Sequence, residues 1–133
     1  MSTVFTKIIN REIPGRFVHE DDLCVAFLDI SPQTPGHVLV VPREETDKWT
    51  DLSPEAAAHL FQVAQRIGQA QIAAFGAERA GVMIVGFDVP HTHIHVFPTN
   101  SMDDFTLNGF NPASDEDLDA AHATLLKELG GAA

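Results

Sequence analysis

The chain has 133 residues, 44% of them hydrophobic, and a formal net charge of −11 from 8 basic and 19 acidic side chains. That length suits one domain with a buried core, and that charge excludes general binding to a nucleic-acid backbone, which needs clustered Lys and Arg. The single cysteine, Cys24, excludes an intramolecular disulfide, and no apolar run approaches the ~18 residues of a membrane span, so a cytoplasmic protein without membrane partners is expected.

In chain order, Thr6 to Arg11 reads as a short helix closed by Ile13-Pro14-Gly15. Phe17 to Glu20 and Leu23 to Leu28 read as strands joined at Asp21-Asp22. Ser31 to Gly36 is a turn-rich loop, and His37 to Val41 is a strand ended by Pro42, which cannot donate a ladder hydrogen bond. Ser53-Pro54 is a helix start, with serine as N-cap and proline in the first turn. Leu60, Val63, Ala64, Ile67, Ile72 and Phe75 make a helical stripe that Gly76 can end, which predicts a long helix across a sheet. Ala80 to Val85 and His91 to Phe97 read as two more strands, and Pro98 to Pro112 as irregular chain. Ser114 opens a last helix, with Asp115, Glu116 and Asp117 at its positive end and Leu118, Ala121, Leu125 and Leu129 on its apolar face. Hairpin order predicts an α+β fold, a mainly antiparallel sheet with helices segregated on it.

His91-Thr92-His93-Ile94-His95-Val96 carries the chemistry. On a strand, period two puts the three imidazoles on one face and Thr92, Ile94 and Val96 on the other. Strand positions i and i+4 are ~13 Å apart, so the three rings cannot share one metal without distortion; a zinc would need help from His37, His59, His19 or Asp88. A neutral imidazole can instead attack phosphorus and form a phosphoramidate that water then breaks. No Walker-type loop and no G-x-S-x-G elbow is present, and Cys24 sits in an apolar run that suits an inert core thiol. Trp49 and the helix face around Phe61 suit either core or an interface.

With these residues laid out, the chain resembles the histidine triad (HIT) family of nucleotide hydrolases and transferases. His91 through Phe97 matches the family's His-φ-His-φ-His-φ-φ pattern. Phe5-Thr6-Lys7-Ile8-Ile9, Glu12-Ile13-Pro14, Ala26-Phe27-Leu28-Asp29-Ile30-Ser31-Pro32-Gln33, Pro35-Gly36-His37 and Val40-Val41-Pro42 look like its N-terminal half, in order. The resemblance implies a HIT-like fold across residues 1–133: a five-stranded sheet, a long central helix and a C-terminal helix, with its core at residues 4–99 and a divergent tail at 100–133.

It also implies roles. His93 would attack the α-phosphate of a purine nucleotide and carry the nucleotidyl group, His91 and His95 would flank it, and His37 would be the site's fourth histidine. Asp29 would accept both ribose hydroxyls. Phe5, Ile8, Ile13, Phe27, Ile30, Leu39 and Val89 would wall the purine pocket. The implied activity is hydrolysis or nucleotidyl transfer on a nucleoside phosphoramidate or other adenylylated substrate, without a cofactor, in a homodimer. The alternative is a nucleotide-binding sensor or interaction module with chemistry lost.

Two departures stand out. Where most members have Asn-x-Gly and then Gly-Gln-Ser/Thr, this chain has Val85-Gly86-Phe87-Asp88-Val89-Pro90. Asp88 falls near a phosphate-binding hydroxyl, and a carboxylate there repels phosphate. A restricted or different nucleotide substrate, turned over more slowly than by relatives with the full loop, is expected. Some members hold a structural zinc with an N-terminal Cys-x-x-Cys and a histidine after the proline-bounded strand. Here those positions read Val4-Phe5-Thr6 and Arg43-Glu44-Glu45, so no zinc is expected.

Overall fold

The computed structural model describes residues 2–107 and 111–130. The elements run α1 (Val4–Ile9), β1 (Phe17–Glu20), β2 (Cys24–Leu28), β3 (Val38–Pro42), α2 (Pro54–Phe75), β4 (Arg79–Met83), β5 (Ile94–Thr99) and α3 (Asp115–Glu128), with short 3-10 turns at Trp49–Asp51 and Met102–Asp104. Five strands form one sheet in the order β1-β2-β3-β5-β4, and every neighbouring pair is antiparallel. This is the α+β architecture expected. No helix among the described residues is long and apolar enough to cross a membrane.

The helix ends follow local chemistry. Ser53 Oγ accepts from Ala56 N at the start of α2, and Gly76 (φ 63°) ends it in the left-handed region. Ser114 caps α3 through Asp117 N. The first helix lies earlier than the sequence suggests: Thr3 is its N-cap and Asn10 its C-cap, so it covers Val4–Ile9 rather than Thr6 to Arg11. Residues 108–110, within the stretch expected to be irregular, and 131–133 of the tail lie outside the described residues.

The sheet is buried on both faces, which is why β2, β3 and β5 are buried throughout. On one face, Ala26, Leu28, Val38, Val40, Ile94 and Val96 pack under Leu60, Val63, Ala64 and Ile67 of α2 and Ala121 and Leu125 of α3. On the other, Val25, Phe27, Leu39 and Val41 pack with Phe5 and Ile8 of α1. Each buried Val, Leu, Ile or Phe among them contributes roughly 1.5–3 kcal/mol by leaving water. Trp49 and Phe61 are exposed, which rules out core for both. Cys24 is sealed in the first core, and burial pushes its thiol up to about 12, the inert state expected.

Gln71 joins the helix layer to the sheet. Its buried Nε2 donates to Gly36 O (2.8 Å) and Val96 O (2.9 Å), the carbonyls beside His37 and His95. The amide nitrogen is thus paired twice, while Oε1 of the same amide is buried without a hydrogen-bond partner.

The strand expected to start at His91 starts at Ile94. Its ladder with β3 runs out at Val40↔Ile94. Beyond that point Thr92 N donates to Thr46 O (2.7 Å) and His91 N to Val89 O (2.8 Å). The alternation that would put three rings on one strand face therefore holds only from Ile94 onward. The same strand runs on through Pro98 to Thr99. The Pro98 carbonyl accepts from Thr34 Oγ1, so its donorless nitrogen points past the end of β3, where no ladder bond is lost.

Candidate active site

A cavity of about 750 Å³ opens on the α1 face of the sheet. Its wall includes Phe5, Ile8, Ile13, Phe27, Ile30, Leu39 and Val89, and its polar lining includes Asp29, His37, His93 and His95. Of the residues to which the resemblance gives a catalytic or nucleotide-binding role, His91 alone lies outside this lining.

Hydrogen bonds fix the tautomers. His93 Nδ1 lies 2.8 Å from the carbonyl of His91. A carbonyl only accepts, so Nδ1 carries the proton and Nε2 is left with its lone pair. His93 Nε2 is buried and has no hydrogen-bond partner. Its ring packs edge-on against Phe5 (centroids 4.8 Å) and His95 (4.9 Å).

The same logic reads the neighbouring pair. Gln33 N donates to His37 Nδ1 (2.9 Å), so in neutral His37 the proton sits on Nε2. That Nε2–H points at His95 Nδ1 (3.0 Å), which must accept. His95 therefore holds its proton on Nε2, a donor suited to a phosphoryl oxygen. This contact leaves no room for an ion between the rings of His37 and His95. Asp88, His93 and His95 also bring ligating atoms together, but a metal there would consume the lone pair of His93.

His91 is turned to a structural task. Its Nε2 donates to Pro42 O (2.7 Å) and its Nδ1 accepts from Thr3 Oγ1 (2.7 Å). Glu45 Oε1 accepts from Thr3 N (2.8 Å) and Thr6 Oγ1. At the positions where zinc-holding relatives were expected to differ, a hydrogen-bond network thus ties α1, the segment after β3 and the histidine run together. What His91 offers His93 is its main-chain carbonyl.

Asp29 follows β2. Its Oδ1 accepts from Ser31 N (2.9 Å), and its Oδ2 lies 3.7 Å from His37 Nε2. Burial raises its pKa, partly offset by the Ser31 bond. A carboxyl with spare acceptor capacity beside an apolar pocket suits a pair of hydroxyl donors.

Some of the lining had no site role assigned from the sequence. Ser31 Oγ is buried without a hydrogen-bond partner on the cavity wall. The side-chain amide of Gln33 donates to Thr106 O (2.7 Å) and accepts from Thr106 N (3.0 Å), holding the segment with Leu107 against the mouth. These partners are 73 positions apart, beyond any periodicity. His19 and His59, considered as metal donors, each place Nε2 2.6 Å from Asp21 Oδ2 at the β1–β2 turn.

Burial lowers the pKa of His37 to about 3 and of His95 to about 4. The unfolded chain takes up those protons near pH 6.5, so below that pH it binds more protons than the folded one. Stability is expected to fall as pH drops from 6.5 toward 4, by at most about 1.4 kcal/mol per pH unit for each ring. Asp29, raised by burial, opposes this, because the folded chain keeps its proton longer. For Asp21 burial pulls upward, but bonds from His19, Cys24 N, His59 and Leu23 N prevail and hold it well below the usual carboxylate range. Its contribution is complete above ordinary carboxylate pKa values and is lost only as pH falls further. Melting temperatures at pH 7 and pH 5 measure the effect; equal values would contradict it.

A family model described as HIT domain matches residues 10–102. The chain is 36% identical over 104 residues to the purine nucleoside phosphoramidase of Escherichia coli K12, covering 71% of this chain and 84% of that one. It is 36% identical over 135 positions to an uncharacterised HIT-like protein of Mycobacterium tuberculosis, covering 97% and 94%. Among solved structures, a HIT-like protein from Bartonella henselae superposes with a TM-score of 0.85 at 30% identity, covering 96% of each chain.

Proposed function

The chain belongs to the HIT domain family, and on that premise we propose that it hydrolyses purine nucleoside phosphoramidates through a nucleotidyl group carried on His93. The observation that carries this reading is His93 Nε2, which bears the lone pair of the neutral ring, has no hydrogen-bond partner and lies on the wall of a nucleotide-sized cavity. The purine lies among Phe5, Ile8, Ile13, Phe27, Ile30, Leu39 and Val89, and the ribose hydroxyls donate to Asp29. The lone pair of Nε2 attacks the α-phosphorus. The phosphorus–nitrogen bond breaks, its electron pair goes to the leaving nitrogen, and that nitrogen takes a proton from solvent at the cavity mouth and departs as an amine. Water then attacks the phosphorus, the bond to Nε2 breaks with its electron pair returning to the ring, and the surplus proton of that water goes back to solvent as the nucleoside monophosphate leaves. His95 Nε2–H steadies a phosphoryl oxygen, and His37 holds the His95 ring. The resemblance between this chain and a purine nucleoside phosphoramidase supports the choice of leaving group.

Mass spectrometry of mixtures quenched without acid tests the reading. A nucleotidyl adduct on His93 is the expected result; turnover with an adduct elsewhere, or with none formed, would count against it.

We also propose that the protein is a homodimer through β4 and α2. Phe61 (44% exposed), Ile72 (38%) and Val82 (46%) share one groove between this helix and the free edge of this strand. Unpaired strand edges with apolar neighbours favour pairing. Sedimentation should give twice the chain mass, and Val82→Lys should shift it to the monomer; a wild-type monomer would refute the assignment.

A further inference from the structure

The cavity is poorly equipped for anions. Arg16 is the one Lys or Arg among its described lining residues, and its guanidinium is taken by Asp119 (2.8 Å) and Asp115 (3.2 Å). Two carboxylates, Asp29 and Asp88, face the same space. Asp88 Oδ1 lies 3.6 Å from His93 Nε2, where a phosphate must arrive, while its side chain remains 61% exposed at the mouth. Gly86 holds φ at 84°, and Phe87 is 98% exposed, a large apolar ring with nothing on it.

In-line attack sets where the leaving group goes. His93 is on the cavity floor at 1% exposure, so the bond opposite Nε2 points outward, past Asp88 and Phe87. An anionic tail on that path meets a carboxylate with no free cation to offset it. A positive charge on that path gains a partner.

Building on the phosphoramidase reading, we infer that Asp88 and Phe87 select the leaving group: they accept an amine that combines an apolar body with a positive charge, and they turn away polyphosphate tails. Asp88 is a specificity residue here, and the chemistry of attack stays with His93.

Three adenosine 5′-phosphoramidates of equal length test this, their amines ending in ammonium, methyl or carboxylate. At low salt, kcat/KM is expected to fall in that order by about fivefold per step, the scale of a partly exposed ion pair. Added salt should compress the series. Asp88→Asn should bring the ammonium-to-carboxylate ratio near one, and Phe87→Ala should selectively weaken amines with an aromatic body. An unchanged ratio in Asp88→Asn, or a flat series in the wild type, overturns the inference and leaves the phosphoramidase reading standing. Calorimetry supplies a readout that needs no chemistry: AMP should bind more tightly than ADP, and Asp88→Asn should narrow the gap. If that gap is found and closes without turnover of any phosphoramidate, Asp88 discriminates by charge at binding, and both the catalytic reading and the leaving-group selection built on it fail.

Discussion

His93→Ala is expected to lower turnover of adenosine 5′-phosphoramidates by roughly a thousandfold or more, the scale seen when a nucleophile is removed. The loss should appear in kcat. No other described side chain combines a free lone pair with this position. His91 has both nitrogens engaged, His37 is held by Gln33 N and by His95, and the remaining nitrogen of His95 carries its proton. The variant should stay folded, because the ring's removal also removes a buried, unpartnered nitrogen. The costs are the contact with Phe5 and the bond to the His91 carbonyl. Circular dichroism through the melting transition checks the fold, and a coupled assay for AMP release checks the rate. Retained turnover in a folded His93→Ala protein would end the nucleophile assignment.

Gly36→Ala is expected to cost about 2–5 kcal/mol, from backbone strain and overpacking together. Gly36 holds φ at 93°, where a Cβ is strained. That Cβ would also stand 2.4 Å from Phe75 Cε2 and 2.7 Å from its Cζ. Phe75 closes α2 and packs on the core from a half-buried position on a cavity wall, so its ring must shift to admit the Cβ. Gly36 directly precedes His37, and its carbonyl accepts from Gln71, so activity should fall along with the melting temperature. Adding Phe75→Leu should restore part of the loss, since it relieves the contact and leaves the strain. A melting temperature within a degree of wild type would show that the loop yields.

The fold was legible wherever a local rule acts alone. Ser53-Pro54 and Gly76 bracket α2 because capping is a matter of a few adjacent atoms. Asp29 and the seven apolar wall residues were found through resemblance, since composition does not distinguish a pocket wall from core. Alternation failed at His91 because a strand needs a partner as well as a pattern. Pro42 ends β3, its carbonyl is taken by the His91 ring, His91 N turns to Val89 O, and Thr92 bonds to the loop at Thr46 instead. The bond between Gln33 and Thr106 and the tautomer chain through His37 and His95 depend on residues brought together from distant positions. Arg16 illustrates the same limit: its partners Asp115 and Asp119 lie 99 and 103 positions away.

The enclosure of Cys24 has a practical side. The folded protein should be blank to sulfhydryl reagents, since its sole thiol is sealed and held protonated. A Phe87→Cys replacement would then give one reactive handle, in open solvent, one residue from the carboxylate that neighbours His93. A fluorophore attached there would signal each arrival and departure at the cavity without any second label.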